Sequence, residues 1–145
     1  MKRLKNEISR MLSNKPDDIE ILEYNKFNLY INLKIQKNNL ILGFNIKNTT
    51  YPFRPPKVEV NFINYLSYLK YNNFYERYKI DKSNKCLCCS TIICRNNWGP
   101  AFTILKIVEE IKKNFTNKIR IIERFYFDKV LNSLGMYDTK FYELL

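Results

Sequence analysis

Four cysteines within a stretch of nine residues are the most reactive side chains of this 145-residue sequence. They are Cys86, Cys88, Cys89 and Cys94. The chain contains no histidine, which excludes a Ser-His-Asp or Cys-His catalytic pair, a histidine metal ligand and an imidazole acid-base step. Any catalysis must therefore depend on cysteine, lysine, tyrosine or carboxylate side chains.

The spacing of the cysteines argues against structural disulfide bonds. They are too close together to cross-link a domain of this size, so reduced thiols are expected. Four thiolates are the right number for zinc, but Cys88 and Cys89 are adjacent and no distant pair completes a tetrahedron. We therefore predict no metal site. If Cys88, Cys89 and Cys94 have no chemical role, they are expected to pack as small hydrophobic side chains.

The net charge of +11 suggests an acidic partner, and nucleic acid is the first candidate. However, 18 lysines outnumber 7 arginines, and 19 asparagines and 17 isoleucines accompany them. This usage is typical of A/T-rich coding DNA and is compatible with a viral origin, so a nucleic-acid-binding role is not favoured. No apolar run approaches the roughly 18 to 20 residues that cross a bilayer, and the N-terminus has a charged amphipathic pattern in place of a signal peptide's apolar centre. These two features predict an intracellular protein of the cytoplasm or nucleus, without membrane contact.

The first half of the chain predicts one helix followed by a meander. Leu4, Ile8, Met11 and Leu12 share one face at helical spacing, which predicts a helix that ends before Pro16. Three alternating runs then predict strands, and a further strand starts near Ile19. The first two runs form a hairpin whose turn, at residues 37–39, is expected to take its unusual backbone dihedrals from asparagine. The alternating runs cover residues 27–35, 40–46 and 58–62.

The second half of the sequence predicts a long surface loop followed by helices. Residues 63–85 show no clean period, apart from one short helical piece within 64–77. Helical periodicity returns over 102–115 and over 117–134, with Gly135 as the stop. The first of these helices is expected to turn four charged residues away from its apolar stripe: Glu109, Glu110, Lys112 and Lys113. The order of elements predicts a single α+β domain over residues 1–145.

Two motifs make this order of elements specific. The stretch YPFRPPKV at 51–58 forms a rigid corner, because its prolines cannot join a strand ladder. The stretch CLCCSTIICRNNWGPAFTI at 86–104 places a Cys-Leu pair upstream of Trp-Gly-Pro-Ala and a helix. In this combination, over residues 2 to 115, the chain resembles the ubiquitin-conjugating enzymes and is expected to share their UBC fold.

The resemblance implies a thioester chemistry that needs no metal or organic cofactor. Cys86, in its Cys-Leu context, would accept ubiquitin or a ubiquitin-like modifier from an activating enzyme and pass it to a lysine or to a ligase. The interval from Cys86 to Trp98 is twelve residues, whereas eight is the commonest in the family, so Cys89 is the alternative acceptor. Lys85 and Arg95 would favour the thiolate electrostatically.

The chain departs from the family in lacking its His-Pro-Asn tripeptide, whose asparagine stabilises the oxyanion during attack by lysine. Loss of one oxyanion donor costs roughly 100- to 1000-fold in rate. Transfer to lysine would therefore need a substitute donor or a residue that positions the lysine. The candidate donors are Asn84, Asn73 and Tyr78, and Asp81 is the candidate for positioning or deprotonating the lysine.

The resemblance also implies two binding surfaces. Ligase binding falls on two loops, at Phe53, Pro100 and Ala101. Binding of the activating enzyme falls on the first helix, at Lys2, Arg3, Lys5 and Arg10. A rigid corner, a helix start and a solvated helix face are the structural alternatives for these residues.

Two other functions remain open at this stage. The first is a catalytically inactive UBC-like protein that binds ubiquitin without a covalent bond or acts as a scaffold, which the missing tripeptide favours. The second is a basic nucleic-acid-binding domain, for which arginine-rich or aromatic strand surfaces would be expected and are not found.

Overall fold

The computed structural model describes residues 2–69 and 91–134. The chain forms two compact units, Met1–Lys112 and Lys113–Leu145, and the prediction of one domain over residues 1–145 stays a prediction. Six of the predicted site residues lie outside the described residues: Asn73, Tyr78, Asp81, Asn84, Cys86 and Cys89.

The predicted α+β class is confirmed, and the described strands form a five-stranded antiparallel sheet in the order β1-β2-β3-β4-β5. The helices are α1 (Lys2–Asn14), α2 (Tyr65–Leu69) and α3 (Ile104–Ser133). The strands are β1 (Ile19–Tyr24), β2 (Asn28–Ile35), β3 (Asn38–Asn45), β4 (Lys57–Val60) and β5 (Ile63–Asn64).

Helix α1 buries a stripe that differs from the predicted one at two positions. Leu4, Ile8 and Met11 are buried as expected, but Leu12 is 44% exposed and Glu7 is buried in its place. At about 100° per residue, Leu12 lies roughly 90° around the helix from the centre of the stripe, whereas Glu7 lies within it. The prediction for Leu12 was wrong because a side chain at this angle extends toward solvent, although it is apolar.

Strands β2 and β3 form the predicted hairpin and supply much of the core. Their inward side chains, Leu29, Ile31, Leu33, Leu40, Leu42 and Phe44, are buried. Ile35 pairs with Asn38, so the loop consists of Gln36 and Lys37, and Gln36 adopts the positive φ of 53°. The prediction that asparagine supplies this conformation was wrong, because both asparagines of the segment are paired in the ladder.

The predicted strand near Ile19 is confirmed as β1, an edge strand with an irregularity in its register with β2. With β5, the sheet has one strand more than the three or four predicted. Phe62 does not continue β4 as predicted. Asn61 and Phe62 have φ of 49° and 66°, which turns the chain back so that β5 pairs with β4 and Phe62 is 70% exposed.

Helix α3 is continuous, although two helices separated near residue 116 were predicted. No glycine or proline lies between Ala101 and Gly135, so nothing in the backbone chemistry interrupts the helical hydrogen bonds. The predicted short helical piece after residue 63 is confirmed for α2. Within residues 2–69 and 91–134, no helix combines the length and apolar character that a membrane crossing requires.

Leu4 and Leu12 provide a matched test of which face of α1 is buried. Leu4→Ala should lower the free energy of unfolding by about 2–4 kcal/mol, since it leaves a cavity in the core. Leu12→Ala should change it by less than about 1 kcal/mol, because much of this side chain is already in water. Urea titration of both variants measures the difference; equal effects would contradict the observed helix orientation.

Candidate functional site

The proline-rich segment forms a rigid corner before β4. Tyr51 and Pro56 are buried, while Phe53 between them is 76% exposed. The Tyr51–Pro52 peptide bond is cis, and the backbone amide of Phe53 donates a hydrogen bond to the carbonyl of Thr50 at 2.7 Å. The corner thus holds an aromatic side chain in solvent while its flanking residues are anchored.

Trp98 joins this corner to the loop before α3. Its indole Nε1–H donates to the carbonyl oxygen of Pro52 at 2.7 Å. The indole ring lies 6.1 Å from the ring of Tyr51 and 5.7 Å from that of Phe102, in an edge-on arrangement with Phe102 that aromatic rings favour. This contact joins the two sequence motifs across 46 residues. We call the contacting residues, Tyr51, Pro52, Trp98 and Phe102, the Trp98 junction.

A buried carboxylate, that of Glu7, is hydrogen-bonded to Tyr51 of the Trp98 junction. Glu7 is only 6% exposed, and its Oε1 accepts hydrogen bonds from Arg3 Nε and from the Tyr51 hydroxyl, both at 2.6 Å. Its Oε2 accepts the backbone amide of Ile104 at 2.8 Å. Burying a carboxylate is costly unless it is paired and hydrogen-bonded, and these three donors supply the compensation.

The hydrogen bonds to Glu7 favour the protonated forms of both side-chain donors, Tyr51 and Arg3. Burial, and then the hydrogen bond to Glu7, raises the pKa of Tyr51 well above its ordinary value. The hydrogen bond to Glu7 raises the pKa of Arg3, against a smaller opposing effect of burial. Tyr51 therefore acts as a neutral donor and Arg3 as a charged donor.

The same carboxylate fixes the start of α3. Thr103 precedes the helix, and its hydroxyl accepts the amide of Lys106 at 3.2 Å, as an N-cap residue does. Glu7 takes the amide of Ile104, one of the unpaired N–H groups of the first turn, and places negative charge at the positive end of the helix dipole. The first residue of α3 is thereby attached to α1.

A second carboxylate, Glu110, was predicted to face away from the core, and this prediction was wrong. Its Oε1 accepts the backbone amide of Ile92 at 2.9 Å. Its Oε2 accepts the hydroxyls of Thr91 at 2.6 Å and of Tyr65 at 3.0 Å. Glu109 and Lys112 are exposed as predicted, and Lys112 pairs with Asp18.

The structure brings the predicted ligase-binding residues to adjoining loops. Phe53 follows Pro52, the acceptor of the Trp98 hydrogen bond, and Pro100 and Ala101 follow Trp98. All three candidate side chains are exposed.

The predicted basic residues of α1 have different environments. Lys2, Lys5 and Arg10 are exposed, whereas Arg3 is paired with Glu7. A groove of about 630 Å³ runs between α1 and the β1–β2 turn. Among the described residues, three lysines and four apolar side chains line this groove, and no carboxylate does. They are Lys2, Lys5 and Lys26, with Leu4, Ile8, Leu12 and Tyr24.

Among the four cysteines, Cys94 is described, and it is a half-buried free thiol. The predicted acceptor Cys86, its alternative Cys89 and the oxyanion candidates lie outside the described residues. The zinc and packing alternatives for the cluster as a whole consequently stay predictions.

Sequence reasoning missed Glu7 and Glu110, and a signal is present for Glu7. Glu7 lies between Leu4 and Met11 in the apolar stripe of α1. A glutamate at a core position of an amphipathic helix indicates a paired carboxylate, because an unpaired one would be too costly to bury. Glu110 lies roughly 110° around α3 from the centre of its buried stripe, so helical spacing does not predict its contacts.

Comparison of the chain with protein-family models, curated proteins and solved structures found no significant match.

Glu7→Ala should lower the free energy of unfolding by about 3 kcal/mol, since it leaves the charge of Arg3 and the hydroxyl of Tyr51 without their acceptor. Glu109→Ala, the same change at an exposed position of α3, should cost less than about 0.5 kcal/mol. Denaturant titration of the two variants makes the comparison, and a Glu7 variant as stable as the Glu109 variant would contradict the role assigned to this carboxylate.

Tyr51→Phe should alter the dependence of stability on alkaline pH. Above pH about 10 the unfolded chain releases the phenol proton while the folded protein retains it. The folded state then binds more protons, so stability falls as pH rises. The melting temperature of the wild type should therefore fall more steeply between pH 9 and 11 than that of Tyr51→Phe.

At neutral pH this variant should be less stable by about 1–2 kcal/mol, through loss of the hydrogen bond to Glu7. The other tyrosines and the lysines titrate in both proteins, so the difference between the two curves isolates Tyr51. Parallel curves over the whole range would show that this phenol has an ordinary pKa in the folded state.

Proposed function

We propose that this protein is a ubiquitin-conjugating-type enzyme, which accepts ubiquitin or a ubiquitin-like modifier as a thioester on Cys86 and passes it to a lysine or a ligase. The observation that carries the proposal is the hydrogen bond from Trp98 to Pro52. It joins the two motifs on which the resemblance to this family depends, at the residues where the family binds its ligases.

The order of elements supports a UBC-like fold. In the family, an N-terminal helix, a meander, the proline corner, a long active-site segment and a central helix follow one another. Here α1, strands β1 to β3, the Tyr51–Pro56 corner, β4 and α3 follow one another along the chain. The corner lies between β3 and β4, and the Trp-Gly-Pro-Ala run leads into α3, as the resemblance requires.

The proposed reaction needs a thiolate and an activated acyl group. The sulfur of Cys86 attacks the carbonyl carbon at the C-terminus of the modifier, which is held as a thioester on the activating enzyme. A carbon–sulfur bond to Cys86 forms and the bond to the donor cysteine breaks, and that cysteine leaves as a thiolate. No net oxidation or hydrolysis occurs, so neither a metal nor an organic cofactor is required.

Transfer onward to lysine is the step that this chain performs less well under the proposal. The family's oxyanion donor is missing, and Asn84, Asn73 or Tyr78 would have to replace it while Asp81 positions the amine. Transfer to a ligase cysteine depends less on that donor, since a thiolate attacks the thioester more readily than an amine.

The surfaces described above fit the proposed partners. Exposed Phe53, Pro100 and Ala101 at the Trp98 junction would contact a ligase. Exposed Lys2, Lys5 and Arg10 would meet the acidic domain of the activating enzyme. Arg3 is assigned instead to the support of Glu7, with which it forms an ion pair.

One observation favours a non-catalytic UBC-like protein as the second candidate function. Counting eight residues back from Trp98, the commonest interval in the family, reaches Ser90 and not a cysteine. Together with the missing tripeptide, this interval suits a protein that binds ubiquitin or a partner enzyme without forming a thioester.

Thioester formation separates the two functions. After incubation with activating enzyme, ATP and ubiquitin, a non-reducing gel should show an adduct that a reductant removes. Cys86→Ser should abolish this adduct, and Cys89→Ser should leave it intact.

Loss of the adduct only in Cys89→Ser would move the acceptor to that residue. Absence of an adduct with ubiquitin and with every ubiquitin-like modifier tested would remove the enzymatic proposal in favour of the binding protein. Discharge to free lysine, followed on the preloaded protein, should be roughly 100- to 1000-fold slower than in a ubiquitin-conjugating enzyme that has the His-Pro-Asn tripeptide.

A further inference from the structure

The groove between α1 and the β1–β2 turn has apolar walls that are largely in water. Leu4 and Ile8 are the buried part of its lining, whereas Leu12 is 44% exposed and Tyr24 is 54% exposed. Single exposed apolar side chains are normal on a protein surface, but these two line one cavity of about 630 Å³. We call this cavity the α1 groove.

The charged side chains of the α1 groove all have the same sign. Lys2, Lys5 and Lys26 line it and are exposed, and no carboxylate of the described residues lines it. The salt bridges found within residues 2–69 and 91–134 involve none of these three lysines. A groove with cations and no acidic neighbour favours an anionic ligand.

The acidic residues nearest to these lysines in the sequence are held elsewhere. Glu7 is buried and accepts hydrogen bonds from three donors of the core. Tyr24 pairs with the buried Leu29 and so lies on the core side of the sheet, whereas Glu23 pairs with Tyr30 on the opposite face. Neither carboxylate therefore neutralises the groove.

We propose that the α1 groove binds an acidic amphipathic helix of a partner protein. The lining residues of α1 extend from Lys2 to Leu12, which is about 15 Å at 1.5 Å per residue and equals nearly three helical turns. A docked helix of this length presents about three or four apolar side chains on one face. Acidic side chains beside that face would meet the lysines.

Both parts of the lining select this ligand. Covering Leu12 and Tyr24 removes apolar surface from water, which supplies affinity in proportion to the area covered. The exposed ammonium groups attract carboxylates and disfavour a basic ligand. A purely acidic segment would leave the apolar walls in water, and a purely apolar segment would cover the lysines without providing counter-charges.

Docking in the α1 groove does not depend on thioester chemistry. A docked helix would cover Lys2 and Lys5, which the proposed function assigns to the activating enzyme, but Arg10 does not line the groove. The binding of a helix is measured without activating enzyme or modifier. A chain that loads no modifier can therefore still dock the helix, and a chain that docks no helix can still be loaded.

The experiment uses the full chain and a fluorescein-labelled peptide of about fourteen residues, long enough to form a helix when docked. The peptide carries leucines at positions i, i+3, i+4 and i+7 and glutamates on both sides of them. One control peptide replaces the leucines with alanine, and the other replaces the glutamates with lysine. Fluorescence anisotropy should show a Kd on the order of 10 μM for the first peptide and at least about 10-fold weaker binding of both controls.

Matched substitutions at exposed positions locate the binding site. Leu12→Ser should weaken binding by roughly 5- to 20-fold, whereas Leu22→Ser, at a leucine of similar exposure outside the groove, should leave it unchanged. Lys26→Glu should weaken binding by roughly 3- to 10-fold, and Lys34→Glu, at an exposed lysine of β2 outside the groove, by less than about 2-fold.

Several results would overturn the inference. They are the absence of binding by the first peptide, equal binding by either control peptide, and unchanged affinity in Leu12→Ser and Lys26→Glu. Losses of equal size in the Leu22 and Lys34 variants would also overturn it. Phosphatidylglycerol vesicles that bind through Leu12 and Lys26, without binding of the peptide, would assign the groove to an anionic lipid surface instead.

Discussion

The buried carboxylate of Glu7 is the interaction on which the described architecture depends most. It joins Arg3 on its own helix, Tyr51 at the proline corner and the first amide of α3. A carboxylate inside a protein is stable only when its oxygens are fully engaged, so each of these partners must be in place for the others to be held. The orientation of α1, the path of the corner and the start of α3 are consequently coupled.

The Trp98 junction and the hydrogen bonds of Glu110 extend this arrangement to the loop before α3. Trp98 donates to Pro52 in front of the ring of Tyr51, whose hydroxyl is bound to Glu7. Glu110 lies six residues after Ile104, the first residue of α3, and binds the loop that precedes Trp98. Loop backbones lack the regular partners of helices and strands, and long acidic side chains on rigid helices satisfy their donors here.

The elements with strong periodicity could be predicted from the sequence. The alternation in β2 and β3 and the apolar spacing of Leu4, Ile8 and Met11 each repeat along the chain, so neighbours in sequence carry the signal. Predictions failed where a local pattern competed with a distant contact. Phe62 continued an alternating pattern, but the backbone turns at Asn61, whose amide and side-chain oxygen both bond with Ile41.

The sequence by itself determined the class of fold, the rigid proline corner and the restriction of catalysis to histidine-free chemistry, because these follow from residue types and short-range spacing. The tertiary structure alone decided that Glu7 binds Tyr51 and Ile104, that Glu110 binds Thr91 and Ile92, and that Trp98 binds Pro52. Each of these contacts pairs a donor and an acceptor far apart in sequence, whose approach depends on how α1, the corner, the loop before α3 and α3 itself meet. Periodicity along the chain carries no information about that approach.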